Sequence, residues 1–108
     1  MSHRTAENQA VAERSPAEYA MSVAGLRWST VERKTGYKRS YLRDVFRKGT
    51  PVMETSLRIR RVINAALEKT GFDGYLNPVA LRNPHQLKGT GTARILIARP
   101  AQVEPEEW

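Results

Sequence analysis

The chain predicts a mainly α fold, four to five helices packed as a bundle with a short C-terminal β element, and three observations carry that expectation. Helix-start grammar occurs twice, a hydroxyl residue followed by proline and an early acid, at Ser15-Pro16-Ala17-Glu18 and at Thr50-Pro51-Val52-Met53-Glu54. Apolar residues recur at helical spacing in the segments that end at Gly49 and Gly71. Beyond Gly71, glycines and prolines punctuate the chain, and the run Ala93-Arg94-Ile95-Leu96-Ile97-Ala98-Arg99 reads as a short strand.

Residues 1–14 are polar, hold alanines without a sustained apolar period, and read as a flexible N-terminal arm. A helix starts at Ser15, with Tyr19, Val23 and Leu26 at spacings of four and three and Met21 nearby, and ends near residues 25–27. Ser29 to Thr35 forms a helix of about two turns, capped by a hydroxyl residue and stopped by Gly36. Arg39 to Lys48 forms the next, ending at Gly49, with Leu42, Val45 and Phe46 at i, i+3 and i+4 on one face. At about 100° per residue the opposite direction holds Ser40, Asp44 and Arg47, with Arg39 and Arg43 on one shoulder and Lys48 on the other. One face packs while the other points outward with cations.

From Thr50-Pro51 the longest helix carries Leu57, Ile59, Val62, Ile63, Ala66 and Leu67 to Gly71, with Arg58, Arg60 and Arg61 mostly away from its apolar stripe. Residues 15–71 thus form one helical unit, 72–103 a C-terminal segment with the strand, and 104–108 an acidic tail ending Glu106-Glu107-Trp108. A lone apolar strand is only marginally stable, so it needs a partner. The preferred partner is the same strand of a second subunit, which makes 72–103 a dimerisation element; the alternative is a hairpin with residues near Tyr75 to Leu81.

The formal net charge of +7 is concentrated: residues 24–70 hold 12 of the 18 Lys and Arg residues against 4 acids. Localised charge of one sign points to a polyanion, and cations set along nucleic-acid phosphates release condensed counterions. A membrane surface fits less well, because the basic segment lacks one continuous amphipathic helix and no apolar run approaches the roughly 20 residues of a span. The chain has no cysteine and Met1 to Glu7 lack the apolar stretch of a secretory signal, so the expected compartment is the cytoplasm. His3 and His85 have no neighbours at metal-ligand spacing, and Gly89-Thr90-Gly91-Thr92 lacks the lysine and the following helix of a phosphate loop. With no G-x-S-x-G, H-E-x-x-H or paired-carboxylate motif either, no enzyme, cofactor, metal or small-molecule substrate is expected.

Two short helices separated by a glycine-containing turn, the second cationic outside, are the parts of a helix-turn-helix. The run Val31-Glu32-Arg33-Lys34-Thr35-Gly36-Tyr37-Lys38-Arg39-Ser40-Tyr41-Leu42-Arg43 resembles the lambda-repressor-like helix-turn-helix family of phage and bacterial regulators, over roughly residues 17–70. Val31, Gly36, Tyr37, Leu42 and Val45 carry the match; Glu32 departs from it, standing where the family usually places a small residue, and fits if the helices splay slightly or if it pairs with a nearby arginine. The resemblance implies a repressor that binds a palindromic operator in double-stranded DNA as a homodimer. It makes Lys38, Arg39, Ser40, Arg43 and Arg47 the base-reading set, with Arg39 and Arg43 suited to the O6 and N7 acceptors of guanine and Asp44 orienting Arg43 and Arg47. Arg27, Ser29, Thr30, Lys34, Lys48 and Thr50 form the expected phosphate set. Alternatives are a nonspecific nucleic-acid or RNA-binding accessory protein, and a protein-interaction module such as an inhibitor with a basic face.

Overall fold

The computed structural model describes residues 15–87 and 94–98. They form α1 (Pro16–Ala24), α2 (Trp28–Thr35), α3 (Arg39–Lys48), α4 (Met53–Lys69), β1 (Gly74–Leu76), α5 (Val79–Arg82), a 3-10 turn (Pro84–Leu87) and β2 (Leu96–Ala98). The mainly helical bundle with a small β element is as the sequence predicts. The expected N-terminal arm at 1–14, the Gly89 to Thr92 loop and the acidic tail at 104–108 lie outside the described residues. Among the described residues no helix is long and apolar enough to cross a membrane.

Helix α1 opens with the full reciprocal cap: the Glu18 amide donates to Ser15 Oγ at 3.1 Å and the Ser15 amide to Glu18 Oε1 at 3.2 Å. Its inward face differs from the expected one. Ala17, Ala20, Met21 and Ala24 are buried, whereas Val23 is exposed and Tyr19 and Leu26 sit half-buried at the rim. These residues run i, i+3, i+4, i+7, and the alanines at three of the four positions let α1 lie close against α4.

Helix α2 begins one residue before the expected start, with Trp28 at its first position and Arg27 as an N-cap whose side chain makes no capping bond. Ser29 and Thr30 are therefore inside the first turn and do not cap it. The turn to α3 is held from within. Gly36 takes a φ of +81° and its amide donates to the Glu32 carbonyl at 2.8 Å. The buried Thr35 hydroxyl donates to the Val31 carbonyl at 2.6 Å and accepts from the Tyr37 amide at 3.2 Å.

Helix α3 has the predicted limits, with Leu42, Val45 and Phe46 buried. Thr50 and Pro51 do not serve as cap and first residue of α4: the helix starts at Met53 after Val52, and Thr50 Oγ1 instead accepts from the Val52 amide at 3.1 Å, bracing the turn ahead of the helix. Ile59, Ile63 and Leu67 line the core, with Val62 and Ala66 packed beside them and Leu57 half-buried. Arg60, expected outside the stripe, is 7% exposed, so α4 is wrapped more completely than a surface helix. The wrapping comes from the C-terminal segment.

That segment supplies the strand's partner within the chain. β2 pairs antiparallel with β1 in the register Gly74↔Ala98, Tyr75↔Ile97, Leu76↔Leu96, so the strand has a partner within its own chain, as in the hairpin alternative. Asn64 Oδ1 accepts from the Leu76 amide at 2.8 Å and fastens β1 to α4. At the other end, the Thr50 amide donates to the Leu81 carbonyl at 2.8 Å, joining the α3–α4 turn to α5. Leu76, Ala80, Leu81, Leu87 and Ile95 enter the same core as Val31, Phe46 and Ile63.

Candidate nucleic-acid interface

With its apolar face buried, α3 is left with Arg39, Ser40, Arg43 and Arg47 exposed on the other side, and exposed Lys38 is its N-cap. The predicted base-reading residues therefore share one outer surface. Lys38 makes no side-chain capping bond, nor does Arg27 at α2 or Val52 at α4, in contrast to the closed cap of α1. An uncapped helix N-terminus leaves amide donors and the positive end of the dipole for an anion.

Trp28, absent from the predicted set, organises the flank of this face. Its ring packs on Phe46 with centroids 5.4 Å apart, and the guanidinium carbons of Arg39 and Arg43 lie 5.9 and 5.5 Å from its centroid. Arg39 Nη2 also donates to Glu32 Oε1 at 3.3 Å, with the two side chains 44% and 32% exposed. Glu32 is thus accommodated by the ion pair and by partial exposure, not by burial. Arg27, Trp28, Ser29 and Arg39 line one side of an open depression of about 560 Å³, and Glu18, Met21 and Ser22 of α1 line the other. The sequence signal for Trp28 is a bulky aromatic at the first turn of the helix ahead of a cationic one; it is visible only once the helix start is moved to residue 28.

The opposite flank is an aromatic brace. Tyr37 and Tyr41 meet edge to face at 5.1 Å, and both hydroxyls reach Thr55 Oγ1 at the start of α4, at 3.5 and 3.3 Å. Arg58 lies over the Tyr37 ring at 5.5 Å, donates to the Thr35 carbonyl at 3.4 Å and pairs with Glu54 at 2.9 Å. This side chain of α4 therefore secures the α2–α3 turn.

The remaining predicted residues divide. Arg27 and Ser29 are exposed beside the α2 N-terminus, Thr30 is half-buried there, and Lys34 is exposed at the far end of α2. Lys48 pairs with Asp44 at 3.3 Å, so Asp44 does not orient Arg43 and Arg47 as expected; being i, i+4 on the outer surface, it meets the lysine first. Among the described residues Arg43 and Arg47 carry no ion pair, so their charge is uncompensated. Thr50 leaves the phosphate set: it is 6% exposed, and its amide and hydroxyl are engaged by Leu81 and Val52. No group of three or more His, Asp or Glu side chains able to hold a metal occurs among the described residues. Scans against family models, curated proteins and solved structures return no match to this chain.

Proposed function

We propose that the chain is a sequence-specific binder of double-stranded DNA, a cytoplasmic transcriptional regulator that occupies a palindromic operator as a homodimer and represses. The observation that carries this is α3 itself: a helix whose apolar face is fully buried behind an outer face of Arg39, Arg43 and Arg47, set beyond a glycine turn. A helix presented in this way fits the major groove, where arginine forks discriminate bases, while the uncapped α2 and α3 N-termini beside Arg27 and Lys38 suit backbone phosphates. The likeness of residues 31–43 to lambda-repressor-like regulators supplies the repressor sign, the phage or bacterial setting and the two-fold symmetry. No catalytic step and no cofactor enter this function.

Selection of bound sequences from a random duplex pool at about 0.1 M salt tests it, a range in which phosphate-dominated binding is still strong. A palindromic consensus is expected. Arg43→Ala should then lose about 1–3 kcal/mol of discrimination at one base position. Arg27→Ala should weaken all sequences alike and lower the salt slope by about one. Equal losses on selected and random DNA for both variants, or RNA binding at least as tight as duplex binding, overturns the proposal.

A further inference from the structure

The geometry points to Trp28 as a positioning residue that holds Arg39 and Arg43 as a matched pair of guanine readers, so that the preferred half-site carries guanine at two positions. This rests on the DNA-binding function proposed above and names what that site selects. Arg39 and Arg43 are i, i+4 on α3, separated by about 6 Å of helix rise. Exposed arginines ordinarily sample many rotamers, and fixing each one on binding costs affinity. Here the guanidinium carbons of both already lie within 6 Å of the centroid of one indole ring, at 5.9 and 5.5 Å.

The platform is itself fixed. Trp28 is half-buried and rests on Phe46, which is completely buried, so the ring cannot follow the arginines if they move. Glu32, one turn along α2 from Trp28, takes one donor of Arg39 at 3.3 Å and gives that side chain a second constraint. Attraction to an aromatic face uses the cation's charge and leaves in-plane N–H groups for an acceptor pair. The bidentate acceptor of that shape in the major groove is guanine O6 with N7. Phosphate would also accept these donors, but a phosphate contact carries no base preference.

The test is the wild-type consensus from the random duplex pool followed by Trp28→Met and Trp28→Phe, with the melting temperature of each variant measured alongside. Methionine fills the space over Phe46 without a π face, and phenylalanine restores one. The expected wild-type half-site has guanine at two positions, each lost in turn on Arg39→Ala or Arg43→Ala. Trp28→Met should lower the preference for that site over duplexes lacking the two guanines by roughly tenfold, the cost of fixing two freed arginines. Its salt slope should not change, because no charge is removed. Trp28→Phe should recover most of the preference.

A consensus without two guanine positions overturns the inference, whatever the variants do. So does a Trp28→Met protein that keeps full discrimination, or one that loses selected and random binding equally, which is the pattern of a purely structural role. A wild-type protein that selects no sequence removes the DNA-reading function itself, and is told apart from these because the consensus is then missing altogether.

Discussion

Asn64 and Arg60 stand one turn apart on α4, both more than nine-tenths buried, and elementary electrostatics gives them opposite contributions. The Asn64 carbonyl oxygen accepts the Leu76 amide at 2.8 Å, and Leu76 is fully buried, so no water can replace the partner. Asn64→Ala should therefore cost about 1–3 kcal/mol, read as a lowered midpoint in urea, because a buried N–H is left unsatisfied. Among the described residues Arg60 has no hydrogen-bond partner at Nε, and burial pulls its guanidinium below the usual arginine range; nearby Tyr75 opposes that pull and Arg61 adds to it. A folded-state affinity for the proton below that of the unfolded chain means that the charged form weakens folding at all ordinary pH values. Arg60→Met, which keeps the stem's packing and removes the buried charge, is expected to leave stability unchanged or raise it by about 1 kcal/mol. A loss of several kcal/mol on chemical denaturation contradicts that account.

Gly49 decides how the helical elements meet the C-terminal segment. It has a φ of +85°, and a Cβ there would lie 2.5 Å from the Arg82 carbonyl oxygen and 2.8 Å from Pro84 Cδ. Gly36 has a similar φ but open space around it. Gly36→Ala should thus cost about 1–2 kcal/mol from backbone strain alone, whereas Gly49→Ala should cost about 2–4 kcal/mol, since the docked backbone must also shift. Thermal melts of the two variants give the order, and equal losses would mean that α5 yields freely. The contrast also explains what the sequence makes legible. The limits of α3 and its two faces follow from local rules, a stop at glycine and an apolar i, i+3, i+4 set, and they agree with the structure. The start of α2 does not, because Ser29 imitates a cap while Arg27 takes the position without one. Most of the packed face of α1 escapes a search for large apolar residues, since apart from Met21 it is formed mainly by alanines. Trp28, Glu32, Arg39 and Arg43 come together from two helices, and the partner of β2 lies some 20 residues away along the chain, so neither contact has a local signature.

Charge and core are distributed differently along the chain, and the difference is measurable on a truncated protein. The cationic excess belongs to residues 24–70, 12 bases against 4 acids. The core extends past that segment, with Leu76, Leu81, Leu87 and Ile95 packed among the residues of α1 to α4. Burial of four such side chains contributes about 1.5–3 kcal/mol each, or roughly 6–12 kcal/mol in all, as large as the entire stability of a small domain at about 5–15 kcal/mol. The clamp of Thr50 on Leu81 and of Asn64 on Leu76 would be lost with them. If the chain reads DNA as proposed, a chain ending at Gly71 should therefore keep an attraction for polyanions while losing the fixed surface that discriminates among them. Far-UV circular dichroism is expected to show reduced helicity and a broad, non-cooperative melt. Binding to random duplex should persist at low salt and fall steeply as salt rises, but the preference for a selected sequence should vanish, because counterion release needs only the cations whereas base readout needs α3 held rigidly against α2 and α4. A truncated chain that melts cooperatively within a few degrees of the full protein and keeps its sequence preference would show that residues 15–71 are a self-sufficient reader, and that the C-terminal segment is packed against a fold it does not sustain.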